Sequence, residues 1–344
     1  FDADFGGPID DTFAISYLLK KQCDGTVDIR LISVVGRNTT GRATLLAKFL
    51  EESGYSDQVD IGMGPPGPCQ NFFSISCVGP VWPWIEQFNG WTLDDYDGTV
   101  YEQGIDRMIQ IIEEYSETNP IYIVTVGALT NLAIIIQQRP DLRKNMKVFT
   151  MSGSLFSDTE PFGKFTEFNI LDDIPSAAIV YNDRHINPYF GGHICAVPWD
   201  TGYYFQIEGV QYQRLLDAPK DNLLVKNLID QYKTFYFNGG SNFDPGRTFH
   251  PNNASASMYD LELVWLAIYV AGLDGDEASK TCQSVDFIEM QEFDVHVNET
   301  NGLIIDIDDN DNTIPPVYFA AEFKDNGIED LSRDFVDTVL DTKK

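Results

Sequence analysis

Four carboxylates, Asp2, Asp4, Asp10 and Asp11, stand within the first eleven residues around the turn Phe5-Gly6-Gly7-Pro8-Ile9, and an apolar helix pattern (Phe13-Ala14-Ile15) follows at once. No other feature restricts the fold as much. A turn that feeds straight into a helix brings these side chains together, and crowded carboxylates are stable only when protonated or when a cation sits among them. Gly6 and Gly7 let the backbone close around such a cation. An EF-hand reading of residues 2–13 fails, because Gly6 takes the fifth position and Phe13 stands where the bidentate glutamate belongs.

The segments that follow alternate in period. Asp28 to Gly36, Ile121 to Gly127 and Val148 to Gly153 are short β-branched or apolar runs that end in glycine, as buried parallel strands do. Thr12 to Lys21, Thr44 to Glu52, Tyr101 to Glu117 and Leu129 to Gln138 place apolar residues at helical spacing. Strand and helix in alternation predict an α/β fold: a doubly wound, mostly parallel, Rossmann-like sheet flanked by helices. Ligands of such sheets bind beyond the carboxyl ends of the strands, so the residues just after each strand are the ones to read for chemistry. The glycine- and proline-rich stretches Gly62 to Pro68 and Asn238 to Pro251 read as long loops, and residues 1–344 as a single domain.

The chain carries 53 acidic against 23 basic residues, a formal charge of −30. A polyanion of that size repels phosphate backbones and anionic lipid, which excludes nucleic acid as a partner. Apolar runs such as Leu132 to Ile136 are far too short to span a bilayer, so no membrane partner is expected either. Of the five cysteines only Cys69 and Cys77 are close enough in sequence to suggest a local disulfide. Sequons begin at Asn38, Asn253 and Asn298. With the acidic surface they point to a secreted glycoprotein, with glycan expected at Asn253 and Asn298. The chain opens at Phe1-Asp2 with no room for a strand ahead of the acidic turn, and we expect the gene product to start earlier.

The order D-x-D, glycine turn, D-D entering a helix resembles the signature of the inosine-uridine-type nucleoside hydrolases. Further segments along the chain carry the same resemblance. Ser33-Val34-Val35-Gly36 followed by Asn38, with Arg37 inserted, is similar to the family's second strand and its ribose-binding asparagine. Gly127-Ala128-Leu129-Thr130-Asn131 resembles a turn whose preceding residue, here Val126, lends a backbone carbonyl to Ca²⁺. Met151-Ser152-Gly153 and Glu167-Phe168-Asn169 resemble the methionine turn and the segment that grips the ribose. Val197-Pro198-Trp199-Asp200-Thr201 is similar to the next strand end and is expected to be structural. Tyr259-Asp260, ahead of a helix over Leu261 to Val270, matches the place of the last Ca²⁺ ligand. Pro161 stands where the family carries an asparagine, and Tyr259 where many members carry a histidine.

The resemblance implies Ca²⁺-dependent hydrolysis of the N-glycosidic bond of ribonucleosides. Asp4, Asp11, Asp260 and the Val126 carbonyl would hold the ion, Asp4 would take the proton of the attacking water, and Asp10, Asn38, Met151, Glu167 and Asn169 would bind the sugar. Tyr259, with Trp82 or Trp84, would stack on the leaving base and lean the enzyme towards purines. His250 is a candidate acid. The rival reading is a secreted, glycosylated scaffold that keeps the fold and the cation site without turnover. In either case a homo-oligomer is expected. The acidic run Asp308-Asp309-Asn310-Asp311-Asn312 resembles a cadherin linker, but no cadherin repeat surrounds it.

Overall fold

The computed structural model describes residues 1–66, 90–155, 165–182, 194–242, 244, 246–273, 281–282, 285–293, 295–306, 317–324 and 326–342. Among them lie the strands β1 (Asp2–Ala3), β2 (Ile32–Val34), β3 (Ile61–Met63), β4 (Val100–Tyr101), β5 (Ile121–Thr125), β6 (Met146–Met151), β7 (Ile194–Val197), β8 (Ile288–Phe293), β9 (Val295–Val297), β10 (Ile304–Asp306) and β11 (Val317–Phe323). Nine of them form one sheet in the order β4-β3-β2-β1-β5-β6-β7-β11-β8, and β9 and β10 form a separate hairpin. Every pairing in the large sheet is parallel except that of the edge strand β8 with β11.

A strand does precede the acidic turn, contrary to expectation. β1 is only two residues long, yet it lies between β2 and β5, with Asp2 opposite both Ser33 and Thr125. From β1 the chain winds outward to β4 and returns on the other side as β5. The strand order therefore reverses between β1 and β5, and sheets of this kind bind ligands at such a switch point, beyond the carboxyl ends of the strands.

The helices are α1 (Asp10–Cys23), α2 (Thr39–Ser53), α3 (Gly104–Glu113), α4 (Thr130–Gln138), α5 (Phe168–Asp172), α6 (Ile174–Tyr181), α7 (Trp199–Gly202), α8 (Gly209–Leu216), α9 (Leu223–Phe237), α10 (Tyr259–Val270) and α11 (Gly327–Leu340). They cover both faces. Phe13, Phe49, Val264 and Phe335 pack with Phe149, Cys195 and Val197 in one core. Ile111, Leu132, Ile136 and Val180 pack with Val148, Ile194 and Ala196 in the other. Val148 and Phe149 thus face opposite cores, as the two-residue period of a strand requires, and a sheet buried on both faces explains why these strands read as continuous apolar runs.

Helix boundaries follow the local chemistry. Asn38 caps α2, its side-chain oxygen accepting from the Gly41 amide at 2.9 Å, which places the start of α2 five residues before the apolar periodicity suggests. Gly62, expected in a loop, lies in β3. Cys195 on β7 is joined by a disulfide to Cys282, 87 positions further along the chain, with Cα atoms 6.0 Å apart. Spacing gives no signal for a bridge of that reach. Cys69 and Cys77 lie outside the described residues, as do Trp82, Trp84, Pro161 and the run from Asp308 to Asn312.

Candidate active site

The acidic residues of the first turn meet at the switch point. Asp10 and Asp11 open α1, and Asp260 lies in the first turn of α10. Helix N-termini favour negative charge, and two of them converge here. One carboxylate oxygen from each of Asp10, Asp11 and Asp260 lies within 4.8 Å of the others, and all three side chains are buried. Burial pushes all three carboxyls well above the usual range. Repulsion from neighbouring acids adds to this, from Asp4 and Asp244 at Asp10, from Asp4 and Asp10 at Asp11, and from Asp10, Asp11, Asp4 and Glu167 at Asp260.

These residues fit a hard cation. Among the described residues neither oxygen of Asp11 has a hydrogen-bond partner, although both are inaccessible to solvent. Buried carboxylate oxygens left unpaired are costly unless a proton or a metal satisfies them.

Asp4 follows β1 directly and is 5% exposed. It stands against the β5 turn, where a Cβ on Gly127 would come within 2.9 Å of both the Asp4 amide nitrogen and its Cβ. Only glycine allows that approach. Asp4 is not one of the trio. Its carboxylate lies 3.4 Å from the buried guanidinium of Arg42 on α2. Burial raises its pKa, and Arg42 opposes the rise.

Asp2, the first acid of the turn, serves the frame. One oxygen accepts from Ser33 Oγ at 2.6 Å and from Asn131 Nδ2 at 2.8 Å, which ties β1 to β2 and to α4. Burial raises its pKa to about 6.

The two ribose motifs come together behind the acids. Asn169 Nδ2 donates to the carbonyls of Val126 and Met151, each at 3.0 Å. The Val126 carbonyl, expected to face a cation, thus already accepts one bond and keeps a second lone pair. Glu167 caps α5 and accepts from the amides of Asn169 and Gly153 at 2.8 and 3.1 Å. Burial raises its pKa to about 7 against those bonds.

Asn38 uses its oxygen on the α2 cap, and the neighbouring Arg37 pairs with Asp172 at 2.5 Å and lies over the Phe168 ring.

Tyr259 packs its ring against Gly202, where a Cβ would come within 2.4 Å of it, and stacks at 6.4 Å on Trp199. Trp199 in turn stacks on Tyr203 at 4.7 Å and meets Phe165 edge-on at 5.0 Å. The strand end read as structural therefore supplies an aromatic wall beside the last acid. The Tyr259 hydroxyl donates to Asp244, a buried acid that sequence reasoning did not single out. His250 packs edge-on against Tyr236, and its Nδ1 accepts from the Asn252 amide.

Arg42, also missed, had a visible signal. It is a basic residue among the buried positions Ala43, Leu45, Leu46 and Phe49 of its helix, and an unshielded charge there needs a partner. A separate cavity of about 300 Å³, lined by Leu31, Met108, Ile123, Val264 and Ile268, is apolar and holds none of these acids.

The protein-family model for inosine-uridine preferring nucleoside hydrolases matches residues 1–329. No curated protein matches the sequence. Among solved structures, a plant nucleoside hydrolase is similar at a TM-score of 0.67 and 18% identity, over 98% of this chain and 97% of that one. A purine-preferring ribonucleoside hydrolase from Gardnerella vaginalis is similar at 0.65 and 17%, over 98% and 96%. The type III effector protein XopQ, complexed with adenosine diphosphate ribose, is similar at 0.66 and 14%, over 98% and 92%. With the family model spanning nearly its full length, the chain belongs to the inosine-uridine preferring nucleoside hydrolases, a family of nucleoside N-ribohydrolases.

Proposed function

We propose that this protein hydrolyses the N-glycosidic bond of ribonucleosides in a Ca²⁺-dependent reaction, with a lean towards purines. The observation that carries this reading is the convergence of Asp10, Asp11 and Asp260 at the switch point, beside Asp4 and the Asn169 amide. Asp4, Asp11 and Asp260 would hold the ion, with the Val126 carbonyl alongside, and Asp10, next to Asp11 and Asp260, would face the sugar. Bound Ca²⁺ supplies a positive field that orients the ribose diol and makes a nearby water more acidic.

The chain's own residues do the rest. Asp4 accepts the proton of the attacking water. Asn169 and Glu167 line the sugar side, fixed by their bonds to Val126, Met151 and Gly153. Loss of the base leaves positive charge on the ribose, and the surrounding carboxylates stabilise it. Tyr259 and Trp199 offer ring faces for the base. The solved relatives include a purine-preferring enzyme, which favours the purine side.

The buried Cys195–Cys282 bridge and an exposed Asn253 support a secreted, glycosylated protein. We further propose a homo-oligomer. The deciding experiment measures reducing-sugar release from inosine, adenosine, guanosine, uridine and cytidine, with Ca²⁺ and with chelator. Release that depends on Ca²⁺ and is fastest with a purine nucleoside is the expected result. No release from any of the five would leave a non-catalytic scaffold as the reading.

A further inference from the structure

Arg247 is half-buried beside the aromatic wall and belongs to none of the motifs read from the sequence. A tight turn sets its position. The Arg247 amide donates to the Asp244 carbonyl at 3.1 Å, and Gly246 has a φ of 85°, the left-handed conformation that a type II turn demands at its third residue. A Cβ on Gly246 would lie 3.4 Å from the Tyr203 hydroxyl, so the turn rests directly on the wall.

The two charged ends of the turn have different tasks. Asp244 is buried, and its carboxylate is already satisfied by the Tyr259 hydroxyl at 3.0 Å and the Ser257 amide at 2.8 Å. Arg247 is therefore not committed to that acid. Its guanidinium lies 4.8 Å from the centre of the Tyr203 ring and 5.6 Å from that of Tyr204. Nη2 donates to the Tyr204 carbonyl at 3.3 Å, and the Tyr203 hydroxyl is a second acceptor. A guanidinium carries five N–H groups, so donors remain after two such bonds. Tyr203 stacks on Trp199, and Trp199 on Tyr259, the neighbour of Asp260. The wall thus runs from the acids at one end to a cation at the other.

That order of groups matches a purine carried on the ribose. With N9 at the sugar, the far edge of hypoxanthine or guanine presents two acceptors, O6 and N7, which a guanidinium meets as a bidentate pair. Adenine sets an amino donor beside N7, uracil offers the single acceptor O4, and cytosine an amino donor. A group that can only donate separates these bases.

We propose that Arg247 is a specificity-determining residue: its guanidinium reads the O6 and N7 edge of the base and selects 6-oxopurine nucleosides over adenosine. The inference rests on the reading of this site as a nucleoside hydrolase centre. As the C1′–N9 bond breaks, its electron pair goes to the base, while the water oxygen bonds to C1′ and its proton passes to Asp4. The charge left on a 6-oxopurine is shared with O6 and N7, where the guanidinium meets it, and the base takes its proton from solvent. One contact therefore serves both recognition and departure.

Values of kcat/KM for inosine, guanosine and adenosine, measured on the whole Ca²⁺-loaded protein, test this. Wild type should prefer inosine and guanosine to adenosine by about tenfold or more, and Arg247→Met should lower that ratio about tenfold. A merely structural role would slow all three substrates alike and leave the ratio in place. Arg247→Lys keeps the charge without the fork and should retain part of the preference. A wild type with no preference for 6-oxopurines, or a ratio in Arg247→Met within about twofold of wild type, would overturn the proposal. If Arg247→Met does not fold, Arg247→Lys decides: a ratio lowered about threefold or more supports it, and an unchanged ratio overturns it. If the protein releases no sugar at all, calorimetric binding of the free bases keeps the two readings apart. Hypoxanthine bound more tightly than adenine by wild type, with the difference lost in Arg247→Met, would leave Arg247 as the base reader and overturn only the activity. Equal affinities for the two bases in wild type would overturn both.

Discussion

The hydroxyl of Tyr259 donates to Asp244 Oδ1 at 3.0 Å, and the other oxygen of Asp244 accepts from the Ser257 amide at 2.8 Å. This pair fixes the aromatic ring that precedes Asp260. Tyr259→Phe should keep the ring but strand one buried carboxylate oxygen. We expect a loss of about 1–3 kcal/mol in stability, read from the midpoint of urea unfolding, together with slower turnover. A midpoint equal to wild type would show that the bond contributes nothing.

Metal removal should make stability depend on pH in a defined direction. Burial raises Glu167 to about 7 in the folded chain, above its ordinary 4.5, and it moves Asp10, Asp11 and Asp260 the same way. An acid whose folded pKa is raised contributes stability that is complete below its unfolded pKa and is lost as pH rises through the folded value. The chelator-treated protein should therefore melt at a higher temperature at pH 5 than at pH 8. Ca²⁺ should reverse the trend, since it binds the ionised acids more tightly as pH rises. Melting curves at both pH values, with and without EDTA, check this. A stripped protein more stable at pH 8 would contradict it.

Asp11→Ala separates binding from folding. Both carboxylate oxygens of Asp11 are buried and, among the described residues, unpartnered, so the side chain costs the metal-free fold free energy and repays it only when a cation binds. The variant should lose Ca²⁺ binding in calorimetry, yet in EDTA it should melt no lower than the wild type. A lower melting temperature in EDTA would mean that Asp11 has a structural role of its own.

Asn169→Ala removes the donor shared by the Val126 and Met151 carbonyls. We expect a destabilisation of about 1–3 kcal/mol from the two acceptors left behind, and a raised KM for nucleosides. An unchanged KM, with stability lowered as expected, would confine Asn169 to the frame.

Glycosylation tests the proposed secretion. Asn253 is exposed, and Asn298 lies in the turn between β9 and β10, where its side-chain oxygen accepts from the Thr300 amide. Both should carry glycan in native material, by glycopeptide mass analysis. Asn38 should not, because it caps α2 at the edge of the site. Unmodified Asn253 and Asn298 would count against secretion, and a glycan on Asn38 would count against catalysis.

The sequence by itself determined the fold class and most of the acids of the site. Buried parallel strands are apolar throughout and their connecting helices are periodic, so both patterns survive in one dimension, and Asp4, Asp10 and Asp11 are close in space because they are close along the chain. Asp260 and the ribose motifs were legible only through resemblance to the family.

What the sequence could not decide is how each carboxylate is satisfied, because partners such as Asn131 for Asp2, 129 residues away, have no local signature. Tertiary structure alone put Arg42 against Asp4, Asn131 against Asp2, Asp244 under Tyr259 and Trp199 on the aromatic wall. It also joined Cys195 to Cys282 and inserted a two-residue β1 between β2 and β5. A strand that short has no period to detect. The physical reason is common to all of these: apolar burial follows local patterning, whereas the pairing of charges and hydrogen bonds follows from where the packed elements bring distant residues together.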